Sequence, residues 1–235
     1  MTTIADRLEL AQQRITTAAK NSARNPDEIQ LLAVSKTKPV SDILAAYQAG
    51  QRRFGENYVQ EGQQKVEALL QQCPDIEWHF IGPLQSNKSR IVADYFDWMH
   101  TLERAKIADR LNAQRPSDKA PLNVCIQVNI SGEASKSGVV DKDSMLALAA
   151  HIATLPKLKL RGLMAIPSHS DDKQLAKELD TMQQLFNTLQ LGYESVDTLS
   201  MGMSQDLELA VAHGSTMVRI GSAIFGERDY SANAN

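Results

Sequence analysis

The sequence predicts a (β/α)8 barrel, an α/β fold in which eight parallel strands alternate with helices. Short apolar runs rich in β-branched residues alternate with longer amphipathic segments, and about eight such units fit into 235 residues. A doubly wound open sheet is the alternative. It is disfavoured because no glycine-rich dinucleotide-binding turn follows the first predicted strand.

The predicted elements follow from hydrophobic periodicity. Strands are expected at residues 31–34, 53–56, 76–81, 98–102, 122–130, 160–166, 196–201 and 217–220. Every strand but the last is followed by a predicted helix, at residues 41–49, 59–70, 88–96, 105–113, 145–155, 174–189 and 207–212. A helix is also expected before the first strand, because apolar residues from Ile4 to Ala18 recur at three- and four-residue spacing. We expect this helix to cover the barrel where the eighth strand lacks one.

Composition and charge indicate a globular protein of the cytoplasm. Hydrophobic residues make up 43% and charged residues 23%, and the net charge of −3 argues against a broad nucleic-acid-binding surface. The N-terminus lacks the apolar run of a signal peptide, and no segment is apolar and long enough to span a bilayer. We expect one barrel domain over residues 1–230 and a disordered tail at 231–235.

The two cysteines, Cys73 and Cys125, are expected to be free thiols, although a single disulfide is the other arrangement that they allow. Cys125 lies in an apolar run and is expected to be buried. The histidines are scattered and the cysteines are far apart in sequence, so no metal site is predicted.

Lys36 closely follows the first predicted strand, and active sites of such barrels lie at the carboxyl ends of the strands. It shares strand parity with Leu32 and Val34, so it is expected to point into the barrel mouth. Desolvation there favours the neutral amine, which can capture a carbonyl as a Schiff base. A lysine that leans into solvent is the alternative interpretation.

The loops after the seventh and eighth strands have the composition of a phosphate-binding site. Gly202 provides backbone freedom, Ser204 is placed to cap the next helix, and Gly221 and Ser222 follow the eighth strand. Backbone N–H groups at helix starts bind phosphate, and barrels often bind phosphate in these two loops. Two ordinary turns with serine caps are the alternative.

Two of the polar residues inside predicted strands are candidate site residues. Arg219 is surrounded by apolar neighbours, so its guanidinium needs a partner, either a core carboxylate or the ring nitrogen of a ligand. His79 is interpreted as a hydrogen-bonded core histidine, and a catalytic role is the alternative.

Several long motifs occur in an order that spans the chain. They are AVSKTK at 33–38, FGENYVQE at 54–61, WHFIGPLQSNK at 78–88, LSMGMS at 199–204 and VRIG at 218–221. These motifs closely resemble those of the YggS/PROSC family, the pyridoxal phosphate homeostasis proteins, and their spacing is similar to that of the bacterial members. The resemblance implies a barrel similar to the N-terminal domain of alanine racemase (fold type III) that binds pyridoxal 5′-phosphate (PLP).

The resemblance also implies which residues bind this cofactor. They are Lys36, Asn57, His79, Met164, Met203, Ser204, Arg219, Gly221 and Ser222. Lys36 would hold PLP as a Schiff base, and Ser204 together with the backbone at 203, 221 and 222 would bind the phosphate. Arg219 would face the pyridine nitrogen. Asn57 would lie near the ring and its O3′ side, while Met164 and His79 would line the pocket.

These assignments predict a PLP carrier or buffer rather than a committed enzyme. An arginine at the ring nitrogen does not keep that nitrogen protonated, so the cofactor would stabilise carbanions poorly. The sequence ends soon after its eighth strand, so we expect no second domain to supply an opposing acid or base. The expected protein is a monomer that supplies PLP to apo-enzymes. The alternatives are a PLP enzyme with weak amino-acid racemase activity, and a cofactor-free Schiff-base aldolase acting on a sugar phosphate.

Overall fold

Eight parallel strands close into a barrel in the order β1 to β8, in a computed structural model that describes residues 2–168 and 171–227. Ala33 of β1 lies opposite Phe54 of β2 on one side and Ile220 of β8 on the other. The strands are β1 (Gln30–Val34), β2 (Arg53–Glu56), β3 (Glu77–Phe80), β4 (Trp98–Leu102), β5 (Leu122–Val128), β6 (Leu158–Ala165), β7 (Thr198–Ser200) and β8 (Met217–Ile220). This closure confirms the predicted fold class and excludes the open sheet.

The helices alternate with the strands, and their bounds agree with the predicted ones to within three residues. They are α1 (Ile4–Asn21), α2 (Val40–Gln48), α3 (Val59–Leu69), α4 (Ser89–Tyr95), α5 (Ala105–Gln114), α6 (Lys142–Ala153), α7 (Asp172–Gly192), α8 (Leu207–Ala212) and α9 (Ser222–Phe225). The sequence does not predict α9, because a helix of four residues is too short to show a period.

α1 covers the barrel at the place where α9 is too short to do so. Thr3 and Asp6 form a capping box at its start, in which each side chain accepts a hydrogen bond from the other residue's backbone. Leu8, Ile15 and Ala18 are buried, and the helix contacts α8, α9 and α2. The expected role of the N-terminal helix is therefore confirmed.

The interior of the barrel contains polar side chains. His100 on β4 is hydrogen-bonded to Ser200 on β7, and Arg219 on β8 donates to the carbonyl of Ala165 on β6. The strands of each pair are not neighbours in the barrel, so both hydrogen bonds cross its interior. The main apolar core consequently lies between the outer face of the barrel and the helices.

No helix in the two described ranges combines the length and apolar character needed to cross a membrane. Cys73 and Cys125 are free thiols and Cys125 is buried, as expected; Cys73 is buried as well, which the sequence does not predict. Within the described ranges, histidine, cysteine, aspartate and glutamate side chains form no group of three or more that could hold a metal ion.

Candidate functional site

A cavity of about 610 Å³ lies at the carboxyl ends of the strands, which is where barrels of this class carry their sites. Eight of the nine residues predicted to bind the cofactor line it: Lys36, Asn57, Met164, Met203, Ser204, Arg219, Gly221 and Ser222. The barrel thus brings segments from five different strands and their following loops into one cavity.

Lys36 lies in a turn after β1 whose flanking residues are held by two charged side chains. Lys65 Nζ donates to the Ser35 carbonyl (2.8 Å), and Glu61 Oε1 accepts from the backbone N–H of Thr37 (2.5 Å). Thr37 has a φ of 63°, in the left-handed region that β-branched residues rarely adopt. The residues of this turn disfavour its conformation, and the contacts with Lys65 and Glu61 therefore hold it in place. This turn presents Lys36.

Beneath this turn, Lys65 and Glu56 form a buried ion pair. Lys65 Nζ lies 2.8 Å from Glu56 Oε1, and the same oxygen accepts from the Ser35 hydroxyl at 2.5 Å. Burial raises the pKa of Glu56, although the charge and the hydrogen bond of Lys65 oppose that shift. Its other oxygen, Oε2, is buried and accepts no hydrogen bond from the described residues. Removal of Lys65 would leave a buried carboxylate without its counter-ion.

The guanidinium of Arg219 is buried beside the cavity. Nη1 donates to the carbonyl and the hydroxyl oxygens of Ser200 (2.7 and 2.9 Å), and Nη2 donates to the Ala165 carbonyl (2.9 Å). These acceptors are uncharged, so the core carboxylate that the sequence allowed is not its hydrogen-bond partner. Burial lowers the pKa of Arg219 to about 10, and the side chain therefore stays charged at neutral pH.

The loop after β7 is shaped by Gly202, which has a φ of 95°. A Cβ at this position would lie 2.6 Å from a side-chain carbon of α8, so only glycine fits. The prediction that Ser204 caps the next helix is wrong, because α8 begins at Leu207 with Asp206 in the N-cap position. Asp206 instead turns its carboxylate back to accept from the backbone N–H of Met203 (2.6 Å).

The loop after β8 approaches the start of the barrel closely. A Cβ on Gly221 would lie 3.2 Å from the carbonyl oxygen of Val34, at the end of β1. Gly221 occupies the N-cap position of α9, and the first N–H groups of a helix have no earlier carbonyl to bond within the helix. The backbone of this loop therefore lines the same cavity as Ser204 with donors suited to an anion.

Asn57 lies where the large cavity meets two smaller ones of about 440 and 230 Å³, and it lines all three. Its Oδ1 is buried and receives no hydrogen bond from the part of the chain that the structure describes. An unsatisfied buried oxygen costs free energy, which a bound ligand with a donor can recover. Gly82 allows this placement, because a Cβ there would lie 2.0 Å from the Asn57 carbonyl oxygen.

His79 does not line this cavity. Its side chain is wholly buried, with Nδ1 2.8 Å from His100 Nε2 and Nε2 2.9 Å from Glu77 Oε1, and Trp98 stacks on its ring. The expectation that His79 lines the cofactor pocket is therefore not met, because its side chain points below the barrel mouth. The interpretation as a hydrogen-bonded core histidine agrees with these contacts.

The cavity combines a primary amine, backbone donors and buried positive charge. Lys36, Lys38 and Arg219 supply the cations, and Asp172 and Asp206 are the carboxylates in its lining. An amine can capture a carbonyl, and clustered N–H groups can bind a phosphate. The arrangement consequently suits a phosphorylated aldehyde or ketone.

Several residues that support the site are not predicted from the sequence. Glu61 and Lys65 have the i, i+4 spacing of an ordinary surface pair on a helix, and nothing local marks them as partners of the Lys36 turn. His100 lies in a strand that provides no candidate site residue. The one available signal is Glu56, a carboxylate at a strand end.

Comparison with known proteins shows which sequence family the chain matches. The chain matches the sequence family described as alanine racemase, N-terminal domain, over residues 10–229. It is 58% identical to the pyridoxal phosphate homeostasis protein of Haemophilus influenzae, over 99% of this chain and 99% of that one. The pyridoxal phosphate homeostasis protein of Escherichia coli is 54% identical, over 98% of this chain and 99% of that one.

Two solved structures illustrate the likeness in three dimensions. PipY of Synechococcus elongatus with PLP bound has a TM-score of 0.79 and 34% identity, over 95% of this chain and 100% of that chain. Alanine racemase of Clostridium difficile has a TM-score of 0.72 and 13% identity, over 92% of this chain and 56% of that chain. The second comparison shows a shared fold, and it agrees with the predicted likeness to the N-terminal domain of alanine racemase.

Proposed function

This chain belongs to the family of pyridoxal phosphate homeostasis proteins, and we propose that it binds PLP and serves the homeostasis and supply of that cofactor. The observation that carries the proposal is the single cavity in which the Lys36 amine, the buried Arg219 and two loops with backbone donors come together. A relative of the same fold that is 34% identical has PLP bound.

The donor set of the cavity fits the cofactor. Lys36 would hold its aldehyde as a Schiff base, and Ser204 with the backbone of Gly221 and Ser222 would bind its phosphate. The backbone N–H of Met203 could join them only by leaving Asp206, to which it donates.

The ring would lie between the side chains on the opposite side of the cavity. Arg219 would face the ring nitrogen, and Asn57, whose Oδ1 has no donor in the described chain, would lie at the O3′ side. Met164 would pack against the ring. His79 would act only through other residues, since its side chain does not line the cavity.

A bound PLP supplies an electron sink for carbanions, and the sink is strongest when the ring nitrogen is protonated. Arg219 cannot provide that proton at neutral pH, because its pKa of about 10 keeps the guanidinium charged. The cation also disfavours a second positive charge beside it. This electrostatic setting favours the function of a carrier, which holds and releases PLP, over that of an enzyme that turns over amino acids.

The carrier is proposed to act as a monomer in the cytoplasm, with apo PLP-dependent enzymes as the recipients of its cofactor. A second candidate is an amino-acid racemase of low activity, which the fold shared with alanine racemase favours. Steady turnover of an amino acid with incorporation of solvent deuterium at Cα would support the racemase. Absence of exchange together with transfer of PLP to an apo-enzyme would support the carrier.

The first test is the absorption spectrum of freshly purified protein before and after borohydride treatment, followed by peptide mapping. The expected result is a violet-absorbing band that borohydride bleaches, with the pyridoxyl mass on Lys36. A colourless protein that also fails to take up added PLP would overturn the proposal. A Schiff-base aldolase acting on a sugar phosphate would then be the function to test.

A further inference from the structure

A line of hydrogen-bonded polar side chains crosses the barrel beneath the cavity. Arg219 Nη1 lies 2.9 Å from Ser200 Oγ, which lies 2.9 Å from His100 Nδ1. His100 Nε2 is 2.8 Å from His79 Nδ1, and His79 Nε2 is 2.9 Å from Glu77 Oε1. Glu77 is the first residue of β3, so the line ends at the opposite end of the barrel from the cavity.

The carboxylate at this end is ionised. Partial burial alone would raise the pKa of Glu77. The hydrogen bond with His79, followed by the charge that His79 carries in acid and the charge of Arg53, outweighs burial and lowers the pKa to about 2. An ionised carboxylate only accepts hydrogen bonds. The ring nitrogen that faces it, His79 Nε2, must therefore carry a proton.

Both rings are neutral at physiological pH. Burial lowers the pKa of His79, although Glu77 and Asp97 oppose the shift. Burial lowers the pKa of His100 well below its usual value, and the positive charge of Arg219 acts in the same direction. The positive charge of Arg53 also lowers the pKa of His79.

These protonation states give the line a single direction. A neutral His79 with its proton on Nε2 accepts at Nδ1, so His100 Nε2 must donate to it. A neutral His100 then accepts at Nδ1, so the hydroxyl of Ser200 must donate there. The lone pairs of Ser200 Oγ remain for Arg219, and every hydrogen bond in the line is donated toward Glu77.

We propose that Ser200, His100 and His79 are positioning residues that connect Arg219 to Glu77 as its distant anionic partner. The hydrogen bonds polarise one another in the same sense, and this strengthens Ser200 Oγ as the acceptor that holds Nη1 of Arg219. The inference rests on the proposed function in one respect, namely that Arg219 faces the ring nitrogen of PLP.

The direction of the line is tested on the protein without cofactor. Long-range ¹H–¹⁵N spectra of the histidine rings distinguish the two neutral tautomers and the charged form. We expect both His79 and His100 to be neutral with the proton on Nε2 from about pH 6 to about pH 8. A proton on Nδ1 of either ring, or a charged ring near pH 7, would overturn the proposal.

Coupling along the line is tested with Glu77→Gln, which removes the charge but keeps an acceptor. It is expected to shift the ¹⁵N resonance of His100 Nδ1, a ring that Glu77 does not touch. The matched control is Asp75→Asn, since Asp75 is also a carboxylate paired with an arginine, Arg52, although its side chain is more exposed than that of Glu77. A His100 resonance that moves equally in both variants, or in neither, would overturn the proposal.

The effect on the site is tested by PLP affinity. Glu77→Gln and Ser200→Ala are expected to weaken binding by about three- to tenfold each, the effect of weakening one hydrogen bond to a charged group. Asp75→Asn and Ser215→Ala should bind as wild type does, because the hydroxyl of the buried Ser215 donates to backbone carbonyls in the described chain.

Equal affinity of Glu77→Gln, Ser200→Ala and the two controls would overturn the positioning role. A wild-type protein that does not bind PLP would overturn the proposed function instead. In that case the ¹H–¹⁵N spectra of the apo protein still decide two points. They show whether the hydrogen bonds have the proposed direction, and whether a change at Glu77 alters the His100 ring.

Discussion

The Lys36 side chain is presented by a turn whose backbone groups are bonded to Lys65 and Glu61, while the side chain itself is only partly buried. The contacts that shape the turn are made by neighbouring residues and by α3. The fold should therefore tolerate the loss of this amine, whereas the site should not.

In Lys36→Ala, the peptide that contains residue 36 is expected to carry no pyridoxyl group after borohydride treatment, while the protein stays folded. Because a residue at the edge of the cavity packs little of the core, the free energy of unfolding should change by no more than about 1 kcal/mol. Peptide mapping and a thermal melt measure the two quantities. Lys38→Ala, in the same cavity lining, is the control and should keep the label on Lys36. An unfolded Lys36→Ala protein would contradict this prediction.

Lys65→Met is expected to lower the free energy of unfolding by about 3 kcal/mol at pH 8, because it leaves Glu56 buried without its counter-ion. Urea denaturation measures this loss. Lys106→Met replaces an exposed lysine of α5 and should cost little. Similar losses in the two variants would contradict the prediction that the buried ion pair stabilises the fold.

The loss in Lys65→Met should depend on pH. The folded-state pKa of Glu56 is already above its usual 4.5, and removal of Lys65 removes two influences that lower it. Between the unfolded and folded pKa values the native state then binds the additional proton, so stability rises as the pH falls. The destabilisation should accordingly be smaller at about pH 5.5 than at about pH 8. A loss that is independent of pH would contradict the role assigned to Glu56.

At the scale of elements, the loop between β7 and α8 determines where Ser204 lies. The φ of 95° at Gly202 turns the chain, and α8 packs directly against that glycine. The position of Ser204 thus depends on backbone geometry two residues earlier and on the packing of a six-residue helix.

Gly202→Ala is expected to lower the free energy of unfolding by more than the penalty for a left-handed alanine, because the added Cβ also clashes with α8. The displaced loop should also weaken PLP binding. Gly132→Ala is the matched control, since Gly132 has a φ of 69° but nothing within 4 Å of an added Cβ. The control should lose about 1 kcal/mol, the usual penalty of this conformation, and bind PLP normally. Urea denaturation and PLP titration compare them. Equal losses would mean that α8 yields to the added methyl group.

For the whole molecule, barrel closure and the N-terminal helix are linked. β8 pairs with β1, and α1 contacts α8 and α9, the helices that follow the two predicted phosphate-binding loops. Packing of α1 therefore bears on the site as well as on global stability, although α1 does not line the cavity.

Ile15→Ala is expected to lower the free energy of unfolding by about 3 kcal/mol, the cost of a cavity at a fully buried position. It should also weaken PLP binding, because α8 and α9 lose support. Leu10→Ala, on the same helix but 55% exposed, should stay within about 0.5 kcal/mol of wild type. Urea denaturation with and without PLP tests both effects. An Ile15→Ala protein as stable as the Leu10→Ala protein would contradict the packing role of α1.

The fold was predictable because its signals are local and repeated. Alternating apolar runs mark the strands, and three- and four-residue spacing marks the helices, so each element could be found without knowledge of the others. The eight predicted residues that do line the cavity were predictable because they lie at strand ends or in the motifs beside them, and a parallel barrel brings strand ends together.

The sequence by itself determined the barrel, its element order and the residues brought to its mouth. Only the tertiary structure decided that His79 lies below the cavity, that Asp206 rather than Ser204 precedes α8, and that Lys65 supports the Lys36 turn. The reason is physical: these outcomes depend on which side chains meet across the barrel or between a helix and a loop. The contacts of His79 with His100 and of Lys65 with Ser35 join residues far apart in the chain, and none of these contacts leaves a periodic trace in the sequence.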